Sequence, residues 1–471
     1  GRYTSTKNYG TSPGDPDSRN SSMNYLMYSV WGYRPITYNP DQDIMDQLFD
    51  PDVNTNVDYR VNPILSAENE LRETFNKRII FNGFAEYAFT KELKLRVNAG
   101  INSSDWRNDV FNNSKTRYGH PHSLNQVNGS ILYTESDTWL NENLLTYNKR
   151  FNKSHSLNLV GGITFQENSY KRYGIGAMYL PNEQLGLAGL SQGTPMPITS
   201  INTEWSLMSY LARATYNYKS KYLLTASYRA DGSSKFADGN RWGFFPSGSF
   251  AWRIINEDFM KNQKIFTDAK LRIGYGVTGN NRVSEYATYS RLNFDNVGPY
   301  DNAYYAFGNS LHQGVFISSL ANPDLKWEST SQSNIGLDIG IFKQRVNVTV
   351  DYYKKKTTDL LLNALLPTST GYSSAFKNIG STSNEGLEIS VSGNIIRKQD
   401  FSWTSSFNIA FNKNKVLSLS QNQESLPSFL SWDKDYAAVP LYIAKVGQPL
   451  GQIYGTIWDG VYQAEDFEEG G

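Results

Sequence analysis

Gly274-Tyr275-Gly276-Val277-Thr278-Gly279 has the G-x-G-x-x-G spacing that lets a backbone approach a pyrophosphate, but that chemistry needs the glycines to open a helix. Asn280-Asn281-Arg282 follows without helical periodicity, so the glycines read as part of a strand and its end. His120 and His122 flank Pro121 in a polar stretch and could reach one metal ion from extended backbone, yet no third ligand stands near them in sequence. Asp231-Gly232 and Asp238-Gly239 lack the alternating aspartates and distal glutamate of a calcium loop and read as turn dipeptides. Lys354-Lys355-Lys356 reads as a solvated rim at a strand end. With no cysteine in the chain, thiol nucleophiles, disulfides and cysteine-held zinc or iron–sulfur sites are excluded. The 45 acidic residues supply so many accidental carboxylate pairs that none argues for acid–base work. The residues therefore point to no catalytic group, no metal and no cofactor.

Recognition is the remaining chemistry. Sugars and peptides in water are gripped by aromatic ring faces with a few hydrogen bonds, and Trp31, Tyr33, Trp106, Tyr300, Tyr304, Tyr305 and Trp432 lie in long polar connections. They are the candidate substrate contacts, although loop packing or a partner surface would use the same residues. Aromatics make up 14% of the chain, too many for a disordered one. Lys+Arg and Asp+Glu both number 45, which leaves no cationic excess for nucleic acid.

The elements that would hold these residues are strands. Leu93, Leu95, Val97, Ala99 and Ile101 alternate with Lys94, Arg96, Asn98 and Gly100, and the same period of two recurs at Leu157–Phe165, Leu271–Val277, Ile335–Ile341, Val346–Tyr352 and Leu387–Ile395. A helical period is confined to Ile64–Asn76 and Glu257–Phe266. Very short turns at 90–92, 152–154, 219–221, 343–344 and 397–399 take turns with long connections at about 102–137, 170–204, 278–328 and 358–385, the asymmetry of outer-membrane barrels. About twelve strands fit between Ile79 and Asn412. Phe89, Tyr216, Tyr218, Tyr222, Phe401 and Trp403 fall beside the short turns on apolar faces, as an interfacial girdle would. Asn82, Glu86, Lys94, Arg96, Asp338, Asp351 and Glu388 sit on the opposite, polar faces and would line a wet lumen. Pro246 marks a bulge or strand start. No run of about 18 apolar residues exists, so spanning helices are excluded.

Residues 1–77 read as a loop region leading into the barrel, 78–412 as the spanning strands with their long loops, and 413–471 as a long loop with the start of further strands. The start carries no basic and apolar leader and the end stops beyond an aromatic run, so both read as cuts.

Arg229-Ala230-Asp231-Gly232-Ser233-Ser234-Lys235-Phe236, followed by Arg241-Trp242-Gly243-Phe244-Phe245-Pro246-Ser247-Gly248-Ser249-Phe250-Ala251-Trp252-Arg253, resembles the SusC/RagA family of TonB-dependent outer-membrane transporters of Bacteroidetes. Leu271–Asn280, Asn322-Pro323-Asp324-Leu325-Lys326-Trp327-Glu328, Asn334–Asp338, Asp351–Leu361, Asn378–Gly380, Asn384–Glu388 and Gly447-Gln448-Pro449-Leu450-Gly451 agree in order. The resemblance implies an all-β transmembrane antiparallel barrel of about 22 strands around a plug, with roughly 12–14 strands in this chain. The plug, the TonB-binding segment and the final strands match nothing here, so the chain is expected to be unstable as a transporter by itself. The implied activity is import of oligosaccharides or peptides across the outer membrane, without catalysis. The implied partners are a SusD-like surface lipoprotein, TonB and its proton-motive-force machinery, and outer-membrane lipid. A siderophore or cobalamin receptor, a surface adhesin and, more remotely, a β-rich glycan hydrolase are the competing readings.

Overall fold

The computed structural model describes residues 1–10, 30–34, 47–49, 61–293, 304–366, 368–372, 374–420, 423–429, 440–455, 457–458 and 460–461. β1 (Arg2–Tyr9) precedes the two-turn helix α1 (Pro63–Asn69), whose start is fixed by Asn62 accepting from the amides of Ile64 and Leu65. Then come β2 (Glu70–Ala88), β3 (Leu93–Asn112), β4 (Asn128–Arg150), β5 (His155–Met178), the two-residue β6 (Thr194–Pro195), β7 (Thr199–Tyr218), β8 (Tyr222–Ser233), β9 (Trp242–Arg253) and β10 (Phe266–Asn280). The loop after β10 carries β11 (Arg291–Asn293), β12 (Tyr304–Phe307), β13 (Ser310–Gln313) and β14 (Phe316–Ser319). β15 (Glu328–Ile341) and β16 (Val346–Thr358) follow, then a loop hairpin of β17 (Leu361–Leu365) and β18 (Ser374–Asn378), then β19 (Ser381–Arg397) and β20 (Ser402–Ser418). β21 (Ser425–Phe429), β22 (Pro440–Lys445) and β23 (Gln452–Ile453) form a separate small sheet.

One 14-stranded sheet contains β1 to β10, β15, β16, β19 and β20, each long strand hydrogen-bonded to its neighbour in sequence along an antiparallel path. A single row of residues in register shows why the strands share a face. Leu157, Tyr216, Leu224, Phe250, Ile273, Ile335, Tyr352, Leu387 and Phe411 stand side by side across nine strands. A one-residue slip would turn a strand's apolar set to the other face and bring residues such as Asn217, Arg272 or Glu388 into the row.

The burial pattern is the inverse of that in a water-soluble sheet. On β5, Leu159, Ile163 and Phe165 are exposed while Asn158, Thr164 and Gln166 are half-buried. The polar face is thus the sheltered face of the sheet and the apolar face looks outward, an arrangement that only a lipid surround makes favourable. Aromatic rings bound this belt at both ends: Tyr218, Tyr222 and Phe250 stack near the short turns, and Tyr210 on Trp242 and Tyr228 on Phe244 stack toward the long loops. From Tyr218 to Tyr210 is about 27 Å of strand, or about 20 Å of height at a barrel's tilt.

Four features differ from the sequence reading. Residues 1–77 are more than a loop, because Arg2–Tyr9 pairs along β2 from Arg2 opposite Ile80 to Tyr9 opposite Glu73, and β2 itself starts at Glu70. Its Thr, Ser and Tyr residues suit a strand but give no apolar alternation to read. The helical period at Ile64–Asn76 ends at Asn69, and that at Glu257–Phe266 resolves into single turns at Ile254–Asn256 and Asp258–Met260. The connections expected at 102–137 and 170–204 shrink to 113–127 and 179–198, because β3, β4, β5 and β7 continue far beyond the belt. There both faces meet water, so the alternation that marks a strand vanishes. Pro246 sits inside β9 opposite Tyr228 without a register shift, just where the ladder to β10 has ended; a proline is tolerated there because no bond is lost.

Candidate substrate-facing wall

Asn82, Glu86, Lys94, Arg96, Asp338, Asp351 and Glu388 all fall on the polar face, opposite the belt. Two groups form. On β2 to β4, Lys94 donates to Glu86 at 2.9 Å, Arg96 donates to Asn98 at 2.9 Å and lies 4.0 Å from the centre of the Phe84 ring, and Asn98 donates to Glu142 at 2.8 Å. On β10 to β16, Arg272 grips Asp338 through two bonds of 2.9 Å and reaches Asp351 at 3.1 Å, with Lys270 Nζ 3.3 Å from Asp338 and Thr349 donating to Asp338 at 3.2 Å. Glu388 stands in register beside Asp351. Arg272 and Asp351 are on strands that do not touch; the guanidinium passes over Gly336, where a Cβ would collide with both. Arg272 was legible as the polar neighbour of Leu271 and Ile273 but had no distinguishing motif.

The aromatic candidates scatter. Trp31 is 80% exposed in the helical residues 30–32, and Tyr33 donates to the Gln47 carbonyl at 3.0 Å. Tyr304 and Tyr305 belong to the backbone of β12, paired with β13. Tyr300 and Trp432 lie outside the described residues. Trp106, expected in a loop, is instead part of β3, half-buried on the polar face opposite Asn76 and Thr134. Two rings absent from the sequence-based selection join it on that face: Tyr170 on β5 and Trp205 on β7, both half-buried. The cross-strand rows are Trp106-Thr134-Arg172-Ile201, Ser104-Ser136-Tyr170-Thr203 and Asn102-Thr138-Asn168-Trp205. The three rings therefore descend diagonally across the wall, with Asn168 and Arg172 between them. The Nε of Arg172 is buried without a hydrogen-bond partner. Alternation carried to the strand tips would have found Tyr170 and Trp205.

The conspicuous motifs turn out to be scaffold. Phe236, Val283 and Leu325 form a buried loop core with Trp327, Leu361 and Phe376 packed on it. Trp327 donates to the Arg241 carbonyl at 2.8 Å, Asn322 to the Phe376 carbonyl at 2.7 Å, and Lys235 to the Val283 carbonyl at 2.9 Å. Lys235 also pairs with Glu285 at 3.0 Å and lies 5.6 Å from the Trp205 ring centre, which ties the loop core to the wall. Burial opposes ionisation of Glu285, yet its own backbone amide and Lys235 prevail and hold it below the ordinary value. Gly447 and Gln448 bond to Val416 and so fasten the connection between β22 and β23 to β20.

At the short-turn end Glu257 accepts from Lys221 at 2.8 Å, Tyr222 at 2.7 Å and the Trp252 indole at 3.0 Å. Those bonds, Lys221 first, lower its pKa to about 2. In the loop after β3, burial and then His122 push His120 below the ordinary imidazole value; their rings meet edge to face, with Phe49 on the other side. Among the described residues no group of three or more His, Cys, Asp or Glu could hold a metal.

The profile of the family described as TonB dependent receptor-like, beta-barrel matches residues 2–467. TonB-dependent receptor P39 of Formosa agariphila is 40% identical over 264 residues, which are 56% of this chain and 23% of that protein. TonB-dependent receptor P3 of the same organism is 35% identical over 312 residues, 66% of this chain and 30% of that protein. TonB-dependent receptor SusC of Bacteroides thetaiotaomicron is 36% identical over 228 residues, 48% of this chain and 22% of that protein. A solved structure of the RagAB peptide transporter superposes on 83% of this chain and 41% of its own with a TM-score of 0.71 at 24% identity. The chain thus spans well under half the length of each of these proteins.

Proposed function

This chain belongs to the TonB dependent receptor-like β-barrel family of outer-membrane proteins, which are not enzymes, and on that premise we propose that the whole protein imports an oligosaccharide or peptide across the outer membrane. TonB and the proton-motive force would drive the import. A SusD-like surface lipoprotein would close the mouth, as the similarity to SusC suggests. The observation that carries the reading is the diagonal of Trp106, Tyr170 and Trp205 on the polar face of the tall wall. Trp106 and Tyr170 stand two strands and two residues apart, about 12 Å by strand geometry, and Tyr170 and Trp205 one strand and two residues apart, about 8 Å. That spacing suits ring-face contacts with a long, flexible polymer and exceeds what a compact chelate needs. The seven polar-face residues would line the lumen, with Arg172 two residues from Tyr170 on the same strand and face.

The test is growth of a strain lacking the full-length gene on a panel of glycans and peptides, followed by complementation. The intact gene should restore growth on one substrate class. A Trp106→Ala, Trp205→Ala double variant that reaches the outer membrane in normal amount should slow that growth by about tenfold, the scale of one or two lost stacking contacts. Full growth of that variant would remove the rings from the substrate path. Substrate incubated with the purified protein should return uncleaved.

A further inference from the structure

The formal charge of the chain is zero, but the charges are unevenly placed. The six short connections between long strands, each taken with one strand residue on either side (88–93, 150–155, 218–222, 253–266, 341–346 and 397–402), hold twelve Lys and Arg against four Asp and Glu, which leaves 33 against 41 for the rest of the chain. Every one of these connections contributes at least one cation. Two of the four acids are taken up inside the group, Glu257 by Lys221 at 2.8 Å and Asp258 by Lys261 at 2.6 Å. The excess is densest where two turns touch. There the Lys219 amide donates to the Ser154 carbonyl at 2.6 Å, and 150–155 and 218–222 together carry Arg150, Lys153, Lys219 and Lys221 with no acid. Because the long strands alternate in direction along one sheet, all six connections lie at the same end of it.

We propose that this basic rim binds the anionic phospholipid headgroups of the periplasmic leaflet. Short turns mark the periplasmic end of an outer-membrane barrel. The rings beside them fix the depth, because Tyr218, Tyr222 and Phe250 stack at that end of the belt, where aromatic side chains sit at headgroup level. Cations follow directly on the rings. Lys149, on the outward face beside Leu157, holds its Nζ 5.7 Å from the centre of the Phe151 ring, and Lys219 holds its own 5.2 Å from that of Tyr218. A long aliphatic stem lies along such rings while the ammonium reaches the phosphates. The spread of the cations decides the partner: an acidic protein would dock on one patch, whereas a headgroup layer meets all six connections at once.

The test equilibrates the full-length protein with micelles of equimolar phosphatidylglycerol and phosphatidylcholine, re-isolates it and counts the lipids retained. Phosphatidylglycerol should exceed phosphatidylcholine about fivefold, the scale of one Lys or Arg beside an anionic headgroup. Sodium chloride at about 0.5 M should bring the ratio close to one, since charges more than a few ångströms apart are then screened. Changing one exposed lysine in each connection, by Lys91→Gln, Lys153→Gln, Lys219→Gln, Lys264→Gln, Lys343→Gln and Lys398→Gln together, should do the same at low salt. Removing as many lysines toward the long-loop end, by Lys77→Gln, Lys115→Gln, Lys171→Gln, Lys354→Gln, Lys355→Gln and Lys356→Gln, should leave the ratio unchanged. A ratio near one for the intact protein, a ratio indifferent to salt, or equal losses in the two variants would overturn the inference. So would an acidic periplasmic protein retained in place of the lipid. The salt series uses the intact protein, so its result does not depend on either variant folding.

Discussion

Arg272 shows how one residue holds three strands. It sits on β10, clamps Asp338 on β15 and reaches Asp351 on β16, and it does so because Gly336 leaves the space above β15 empty. Gly336→Ala should therefore displace the guanidinium and destabilise the full-length barrel by about 1–3 kcal/mol, the usual cost of forcing extra atoms into a filled site; the measurement is the temperature at which the folded form is lost on a semi-native gel. Arg272→Met should do at least as much, since it leaves two carboxylates facing each other on the sheltered wall. At the short-turn end Glu257 gives a pH signature. Its folded-state pKa of about 2 lies below the ordinary 4.5, so its contribution is complete above about 4.5 and is lost as pH falls toward 2. Glu257→Gln should weaken the anchoring of Tyr222 and Trp252 at every pH above that window and flatten the acid dependence of unfolding, as followed by tryptophan fluorescence. The polar-face carboxylates were legible in the sequence because alternation assigns faces; the pairing of Asp338 with Asp351 was not, since it depends on a third residue passing over a glycine.

Among the elements, the loops behave as a second folded layer. The core of Phe236, Val283 and Leu325 joins the loops after β8, β10 and β16, so removing its centre should free all three together. Phe236→Ala is expected to cost about 3–5 kcal/mol of local stability and to expose the 281–327 connection to limited proteolysis, while the belt strands stay protected; cleavage confined to the loop after β8 would show that the three are independent. The strands within the belt could be read almost directly, because lipid on one side and a polar interior on the other force a period of two. Beyond the belt that pressure stops. Residues Asn102 to Asp109 present polar side chains on nearly every position, which is why the end of β3 from Asn102 to Asn112, with Trp106 in it, reads as loop. β1 was missed for the same reason, and its pairing is set by β2 and by nothing in its own pattern.

The molecule as a whole has walls of unequal height. β3, β4, β5 and β7 run 20–24 residues whereas β8 and β9 run 12, or about 80 Å against about 40 Å of strand at the limits. Among the described residues the long strands form one continuous antiparallel path from β1 to β20. The period of two has a further consequence, for the route by which such a protein reaches its membrane. Because every second side chain is polar, no segment is oily enough for long enough to lodge in the first bilayer that the unfolded chain must be threaded through. The greasy surface comes into being only when neighbouring strands line up, so the chain carries its membrane address in a form that stays silent until it folds at its destination.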